Sequence, residues 1–183
     1  MQIRLAIVLV AIAVVVACEE DPFLVRWVEN PRQAQIYALD RGELSRPTAF
    51  HMLGRTAVVI EDPTTNGEWD FALDRQAGGL VLLLPRALGV TTRAAIAALP
   101  ATEFEAVREA PADTLLYSTR DPVPLKLGTV YVVRTHQQPD AYGQLCSYYG
   151  KVKPLELDVV VGSFTFLYDI SPVCNNRSLV PPK

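Results

Sequence analysis

The stretch LELDVVVGSFTFLYDI, residues 155–170, contains two runs in which apolar and polar residues alternate, with a glycine between them. The first run ends near Val159, and the second places four bulky apolar side chains, from Phe164 to Ile170, on one face. Alternation with a period of two is typical of strands that bury one face, and Gly162 supplies the turn between them. The stretch therefore predicts an antiparallel pair of strands.

The residues before this pair predict an irregularity in its first strand. Lys151 and Lys153 fall on the same side as the apolar residues that follow, so the alternation changes phase at Pro154. A phase change at a proline predicts a β-bulge or an edge position. Turn residues also bound further strands at 56–61, 80–84 and 128–135, and the run 80–84 is apolar on both faces.

Asn66-Gly67 is the strongest hairpin signal in the chain, because both residues tolerate the backbone that a type I′ turn requires. Beyond it, we expect Trp69, Phe71 and Leu73 to face the core. Alternation then places Asp70 and Asp74 on the outer, solvent-facing side of the same strand.

Residues 91–109 differ from the rest of the chain, since they contain many alanines and a capping box formed by Thr102 and Glu105. They predict one or two short helices. We therefore predict an all-β domain over residues 31–183, mainly antiparallel and sandwich-like, with one or two short helices.

The N-terminus has the layout of a secretory signal, with Arg4 before thirteen apolar residues. Its end, Val15-Val16-Ala17-Cys18, resembles the bacterial lipobox. This resemblance implies that 1–17 is a signal peptide and that Cys18 carries lipid. Residues 18–30, which begin with acidic residues, would then be a tether to the membrane. Glu19 after the cysteine favours the outer membrane of the bacterial envelope.

The composition limits the possible partners and predicts one covalent link. The chain has a net charge of −3 and is 20% charged, so nothing indicates a nucleic-acid partner. With Cys18 acylated, Cys146 and Cys174 are the remaining thiols of an exported protein. We predict a disulfide between them, because exported chains fold in an oxidising compartment.

The order of short motifs along the chain resembles the HmuY-type family of lipid-anchored haem-binding proteins. That resemblance implies a mostly β fold with haem held between loops by paired histidines or methionines. The matching pieces, besides the lipobox, are Leu39-Asp40-x-Gly42, Trp69-Asp70-Phe71-Ala72-Leu73, Phe104 with Ala110-Pro111, Val130-Tyr131-Val132-Val133-Arg134-Thr135, Tyr149-Gly150-Lys151 and Phe164-Thr165-Phe166-Leu167-Tyr168.

Four residues are candidates for ligand binding. His51 and His136 could be axial ligands, and Tyr148 and Tyr149 could stack on a planar ligand or ligate iron. Alternatively, the histidines are polar residues at strand ends and the tyrosines cap the core. We expect no bis-histidine haem site, because nothing in the sequence makes His51 and His136 neighbours, and a polar segment follows His136.

Motifs of the common enzyme classes are missing from the sequence. It contains no nucleophile elbow, zinc-protease helix, phosphate-binding loop or dinucleotide fingerprint. Asp70 and Asp74 could serve as an acid/base pair, but strand alternation alone explains them, and we favour that interpretation. We expect a non-enzymatic, lipid-anchored domain with no metal, which binds haem or another hydrophobic small molecule. The alternative is a structural or protein-partner module of the envelope.

Overall fold

The computed structural model describes residues 25–65 and 67–182. The predicted signal peptide, Cys18 and the first part of the tether lie outside the described residues. Within the described part, no helix is long and apolar enough to cross a membrane. The strands in chain order are β1 Arg32–Tyr37, β2 Ala49–His51, β3 Thr56–Val58, β4 Phe71–Gln76, β5 Gly79–Leu83, β6 Ala95–Pro100, β7 Tyr117–Ser118, β8 Val123–Pro124, β9 Thr129–Arg134, β10 Gln138–Pro139, β11 Leu145–Cys146, β12 Tyr149–Asp158 and β13 Ser163–Ile170.

Two sheets pack face to face, which confirms the predicted all-β, sandwich-like fold. One sheet has the strand order β1-β13-β12-β9-β6-β7, and the other has the order β3-β2-β4-β5-β8. Strands β10 and β11 form a small separate pair. Each pairing between these strands is antiparallel.

Aromatic side chains fill the space between the two sheets. Phe50 of the five-stranded sheet meets Phe166 of the six-stranded sheet edge to face, with ring centroids 5.2 Å apart. Phe71 and Phe164 belong to the same fully buried cluster. Rings in this arrangement gain a favourable quadrupole interaction in addition to the apolar area that they bury.

The hairpin predicted from 155–170 is confirmed. Strands β12 and β13 pair, the register shifts between Pro154 and Glu156, and Gly162 lies at the turn with a φ of 73°. That positive φ is unstrained only for glycine. Lys151 is buried, where its Nζ lies 3.4 Å from Glu29 and 4.6 Å from the centroid of the Phe104 ring.

The prediction of one or two short helices over 91–109 holds only for Phe104–Ala106, which is a short 3-10 helix. Ala95–Pro100 is the strand β6, which lies between β9 and β7. Because Ala95 and Ile96 are buried within this sheet, strand pairing overrides the helical preference of alanine. Within residues 25–65 and 67–182, helical structure is limited to short 3-10 segments at Pro63–Thr65, Pro85–Leu88, Phe104–Ala106 and Thr114–Leu116.

The hairpin predicted at Asn66-Gly67 is also wrong. Strand β2 lies between β3 and β4, so the runs on either side of these residues do not pair with each other. The described residues between β3 and β4 contain the short 3-10 helix Pro63–Thr65. Local turn chemistry was outweighed by the pairing of β2 with both neighbours.

The predicted disulfide between Cys146 and Cys174 is present, and it joins β11 to the C-terminal segment. At the other end of the described chain, the N-terminal segment docks onto the domain at Asn30. The backbone N–H of Asn30 donates to the buried Asp169, and Arg55 donates both to the Asn30 carbonyl and to Asp169. The domain's contacts therefore extend slightly into the predicted tether.

Candidate binding site at the His51, Asp70 and His136 cluster

Three titratable side chains from separate parts of the chain meet at one end of the sandwich. His51 is the last residue of β2, Asp70 directly precedes β4, and His136 follows β9. Pairing of β2 with β4 continues beyond the strands, because the Asp70 N–H donates to the Phe50 carbonyl. His51 is thereby brought beside Asp70.

Asp70 is the centre of this cluster and is fully buried, at 0% exposure. Its Oδ1 accepts from the backbone N–H of His136 and pairs with the Nδ1 of the same residue, each at 2.8 Å. Its Oδ2 accepts from the Met52 N–H at 2.7 Å. The expectation that Asp70 faces solvent is therefore wrong, because its carboxylate anchors two loops to the start of β4.

The two imidazoles are neighbours, which nothing in the sequence had indicated. The ring centroids of His51 and His136 are 5.2 Å apart, with an interplanar angle of 49°. The Nε2 atom of His51 is buried and has no hydrogen-bond partner among residues 25–65 and 67–182. Gly54 allows the ring to sit against the backbone, since a Cβ there would lie 2.8 Å from His51 Nδ1.

The electrostatic environments of the two histidines differ. Burial lowers the pKa of His51, and the charge of Asp70 opposes this effect only in part. Burial also lowers the pKa of His136, but the hydrogen bond and the charge of Asp70 outweigh it, so that the pKa is raised overall. His136 therefore retains a proton to higher pH than His51.

The ring geometry argues against haem between these imidazoles. Iron held about 2 Å from each nitrogen would separate the ring centroids by about 6 Å, and the porphyrin plane would have to pass between the rings. The observed separation of the ring centroids is shorter than this. Asp70 and Met52, which are joined by a hydrogen bond, are both fully buried. The absence of a bis-histidine haem site stays a prediction. It now rests on the geometry of the two rings, because His51 and His136 are neighbours after all.

A cleft lies beside His136, and we call it the His136 cleft. It has a volume of about 520 Å³ and is lined by Gly67, Arg86, Val90, Thr91, Thr92, Arg93, His136 and Gln137. A smaller cavity of about 230 Å³ adjoins it through Arg86, Val90 and Thr91 and adds Arg120. Among the described lining residues of both cavities, none is acidic.

The wall of the cleft is a loop that local interactions hold in shape. After the Pro85–Leu88 turn, Gly89 takes a φ of 84° and the Val90 N–H donates to the Pro85 carbonyl. The Arg134 side chain donates to the Arg93 carbonyl at 3.0 Å. These contacts fix the backbone of the loop and leave the exposed side chains of Arg86 and Arg93 available to a ligand.

The remaining candidate residues lie outside this cleft. Tyr148 is buried in the main core, and Tyr149 is half-buried in a second cluster on the outer face of the six-stranded sheet. Trp69 is buried with Ala49, Val58 and Ala72, on the opposite side from Phe71 and Leu73. The structure therefore places both tyrosines in packing positions. Cys146 and Cys174 lie near Asp140, but their sulfurs are bonded to each other.

Sequence reasoning named both histidines but missed Asp70 as their partner. Asp70 stands between Trp69 and Phe71, and an aspartate between two aromatic residues was a signal of burial. We find no match among protein-family models, curated proteins or solved structures.

Proposed function

We propose that this chain is a lipid-anchored protein of the bacterial envelope whose β domain binds a small anionic ligand in the His136 cleft, without catalysing a reaction. The observation that carries the proposal is the lining of the cleft by two arginines, two threonines, His136 and Gln137. Its volume of about 520 Å³ lies within the range typical of sites for small organic molecules.

The charge of the lining supports an anion rather than a neutral ligand. Arg86 and Arg93 line the cleft, and Arg120 lies in the adjoining cavity. Guanidinium groups present several donors in a plane that matches a carboxylate or a phosphate. A ligand with one or two such groups would therefore gain charge-assisted hydrogen bonds, and the hydroxyls of Thr91 and Thr92 could bind its neutral oxygens.

Haem is the second candidate ligand, and the family resemblance favours it. Its two carboxylates suit the arginines of the cleft, whereas Val90 is the one large apolar side chain among the described lining residues. A porphyrin needs apolar walls, so we rank a small polar anion ahead of haem.

Attachment to the membrane rests on the lipobox at Cys18, which lies outside the described residues. The end of the predicted tether is fixed to the domain at Asn30, where Arg55 binds its carbonyl. Arg55 belongs to the same turn as Met52, whose N–H donates to Asp70. The tether therefore enters the domain through the turn that also supports the candidate site.

The test is calorimetric titration of the purified mature chain with citrate, inorganic phosphate and a sugar phosphate, in a buffer containing a chelator. We expect at least one anion to bind, and the double substitution Arg86→Gln with Arg93→Gln to abolish binding. Arg108→Gln is the matched control, since Arg108 is exposed and outside the cleft lining.

A parallel titration with haemin, followed through the Soret band, separates the two candidates. Binding of haemin without any anion would make haem the ligand. Failure of every probe would remove the small-molecule proposal and favour the protein-partner module. Anion binding that survives loss of both arginines would place the site elsewhere.

A further inference from the structure

We infer that His51, Asp70 and His136 form a binding site for a divalent transition metal ion, of the kind that Zn²⁺ occupies. This goes beyond the proposed function, because a metal here would occupy the buried cluster and not the cleft that we assign to an anion. It also departs from the sequence, which indicated no metal site.

The first support is the distance between the donor atoms. One ligand atom from each of the three residues lies within 4.8 Å of the other two. Donors around a tetrahedral zinc, each about 2.0 to 2.1 Å from the ion, lie about 3.4 Å apart. Side-chain adjustments of about 1 Å would therefore bring the three groups into coordination.

The second support is the arrangement of the rings. Two imidazoles that bind one tetrahedral ion have centroids about 5 Å apart. The centroids of His51 and His136 are 5.2 Å apart and the rings are tilted by 49°. The same separation that is short for axial haem ligands thus agrees with two ligands of a single small ion.

The third support is a polar atom that protein groups leave unused. His51 Nε2 is buried without a partner in the described part of the chain, and a buried nitrogen of this kind loses its hydrogen bonds to water without replacement. A metal ion would use its lone pair.

The fourth support is the charge and the position of Asp70. No Lys or Arg among the described residues is hydrogen-bonded to this fully buried carboxylate, whose partners are two backbone N–H groups and His136. Two imidazoles and one carboxylate are a donor set that zinc commonly takes, with a further position left for water or a ligand.

His136 connects the two sites. Its ring belongs to the cluster and also lines the His136 cleft. A metal ion bound to this ring would add positive charge beside a cleft already lined by Arg86 and Arg93.

The experiment is titration of the mature chain with Zn²⁺ alone, without a histidine tag and without added anions. The chain contains two histidines, so imidazole binding has no other source. We expect one ion per chain with micromolar or tighter affinity. Titration with Co²⁺ should give the intense visible absorption of tetrahedral coordination.

The diagnostic variants are His51→Ala and His136→Ala, each expected to abolish stoichiometric binding. Asp70→Asn should weaken it by about tenfold or more. Asp74→Asn is the matched control, because Asp74 lies on β4, four residues after Asp70, and is not part of the cluster. The His51→Ala variant is expected to fold, because His51 is only half-buried. Circular dichroism checks that it does.

Two results would overturn the inference: no stoichiometric Zn²⁺ binding to the tag-free chain, or binding retained in both histidine variants. The two proposals fail separately. The double arginine variant should lose anion binding and keep Zn²⁺ binding. The His51→Ala variant should lose Zn²⁺ binding. It should keep anion binding, measured in the presence of a chelator, because His51 is not among the residues that line the cleft.

Discussion

Asp70 holds His136 by two contacts at once, because one oxygen of its carboxylate accepts the backbone N–H and pairs with the ring Nδ1 of His136, both at 2.8 Å. The chain leaving β9 is thereby fixed to the start of β4, which belongs to the other sheet. This relationship links the architecture to the candidate site, since the carboxylate that joins the two sheets also positions an imidazole.

Removing the Asp70 carboxylate should destabilise the metal-free protein. Asp70→Ala leaves the N–H groups of Met52 and His136 without their acceptor in a buried place, and each such loss costs about 1 to 3 kcal/mol. We expect the free energy of unfolding in urea to fall by several kcal/mol, and by less in Asp70→Asn, which retains one oxygen. An unchanged value in Asp70→Ala would contradict the role assigned to this residue.

Gly54→Ala should impair the proposed metal site through His51 alone. The new Cβ would lie 2.8 Å from His51 Nδ1, so the ring would have to move. We expect Zn²⁺ affinity to drop by about tenfold or more, with little change in unfolding free energy. Gly78→Ala is the control, because a Cβ there meets nothing within 4 Å. Equal Zn²⁺ affinity in the two variants would show that the position of the His51 ring does not matter.

Loss of the disulfide should lower stability through the unfolded state. Cys146 and Cys174 are 28 residues apart in sequence, and a loop of that length corresponds to about 3 to 4 kcal/mol in the chain-entropy description. The variant with both cysteines replaced by serine should therefore unfold at lower urea concentration than the oxidised parent. Two free thiols in the unreduced parent would show that the bond does not form.

Acid should remove the stabilisation provided by the Arg41 and Glu61 pair. The hydrogen bond from the buried Arg41 lowers the pKa of Glu61 below its ordinary value of 4.5, so the pair stabilises the fold above that pH and loses its effect as the pH falls through the lowered pKa. Glu61→Gln should be less stable than the parent at pH 7, with the difference shrinking in acid. A difference that does not depend on pH would mean that the charge of Glu61 contributes nothing.

The lipid anchor is tested by Cys18→Ala. Without the acylated cysteine, the protein should move from the membrane fraction to the soluble fraction, because two or three acyl chains provide most of the binding energy. Membrane association that persists after the leader is cleaved would place the anchor elsewhere in the chain.

The sequence by itself determined those features that neighbouring residues encode. The alternation in 155–170 predicted strands β12 and β13, and the phase change at Pro154 predicted the irregularity between them. The pairing of Cys146 with Cys174 followed from the small number of cysteines. In each case the deciding information lies within a few residues or in a simple count.

Only the tertiary structure decided the features that depend on which strands pair. Ala95–Pro100 is a strand because β9 and β7 flank it, although its alanines favour a helix. Asp70 is buried because two loops converge on its carboxylate, and His51 meets His136 because β2 pairs with β4 while β9 ends beside them. Such contacts join segments far apart in the chain, and their free energy comes from burial and hydrogen bonds that exist only once both sheets are assembled.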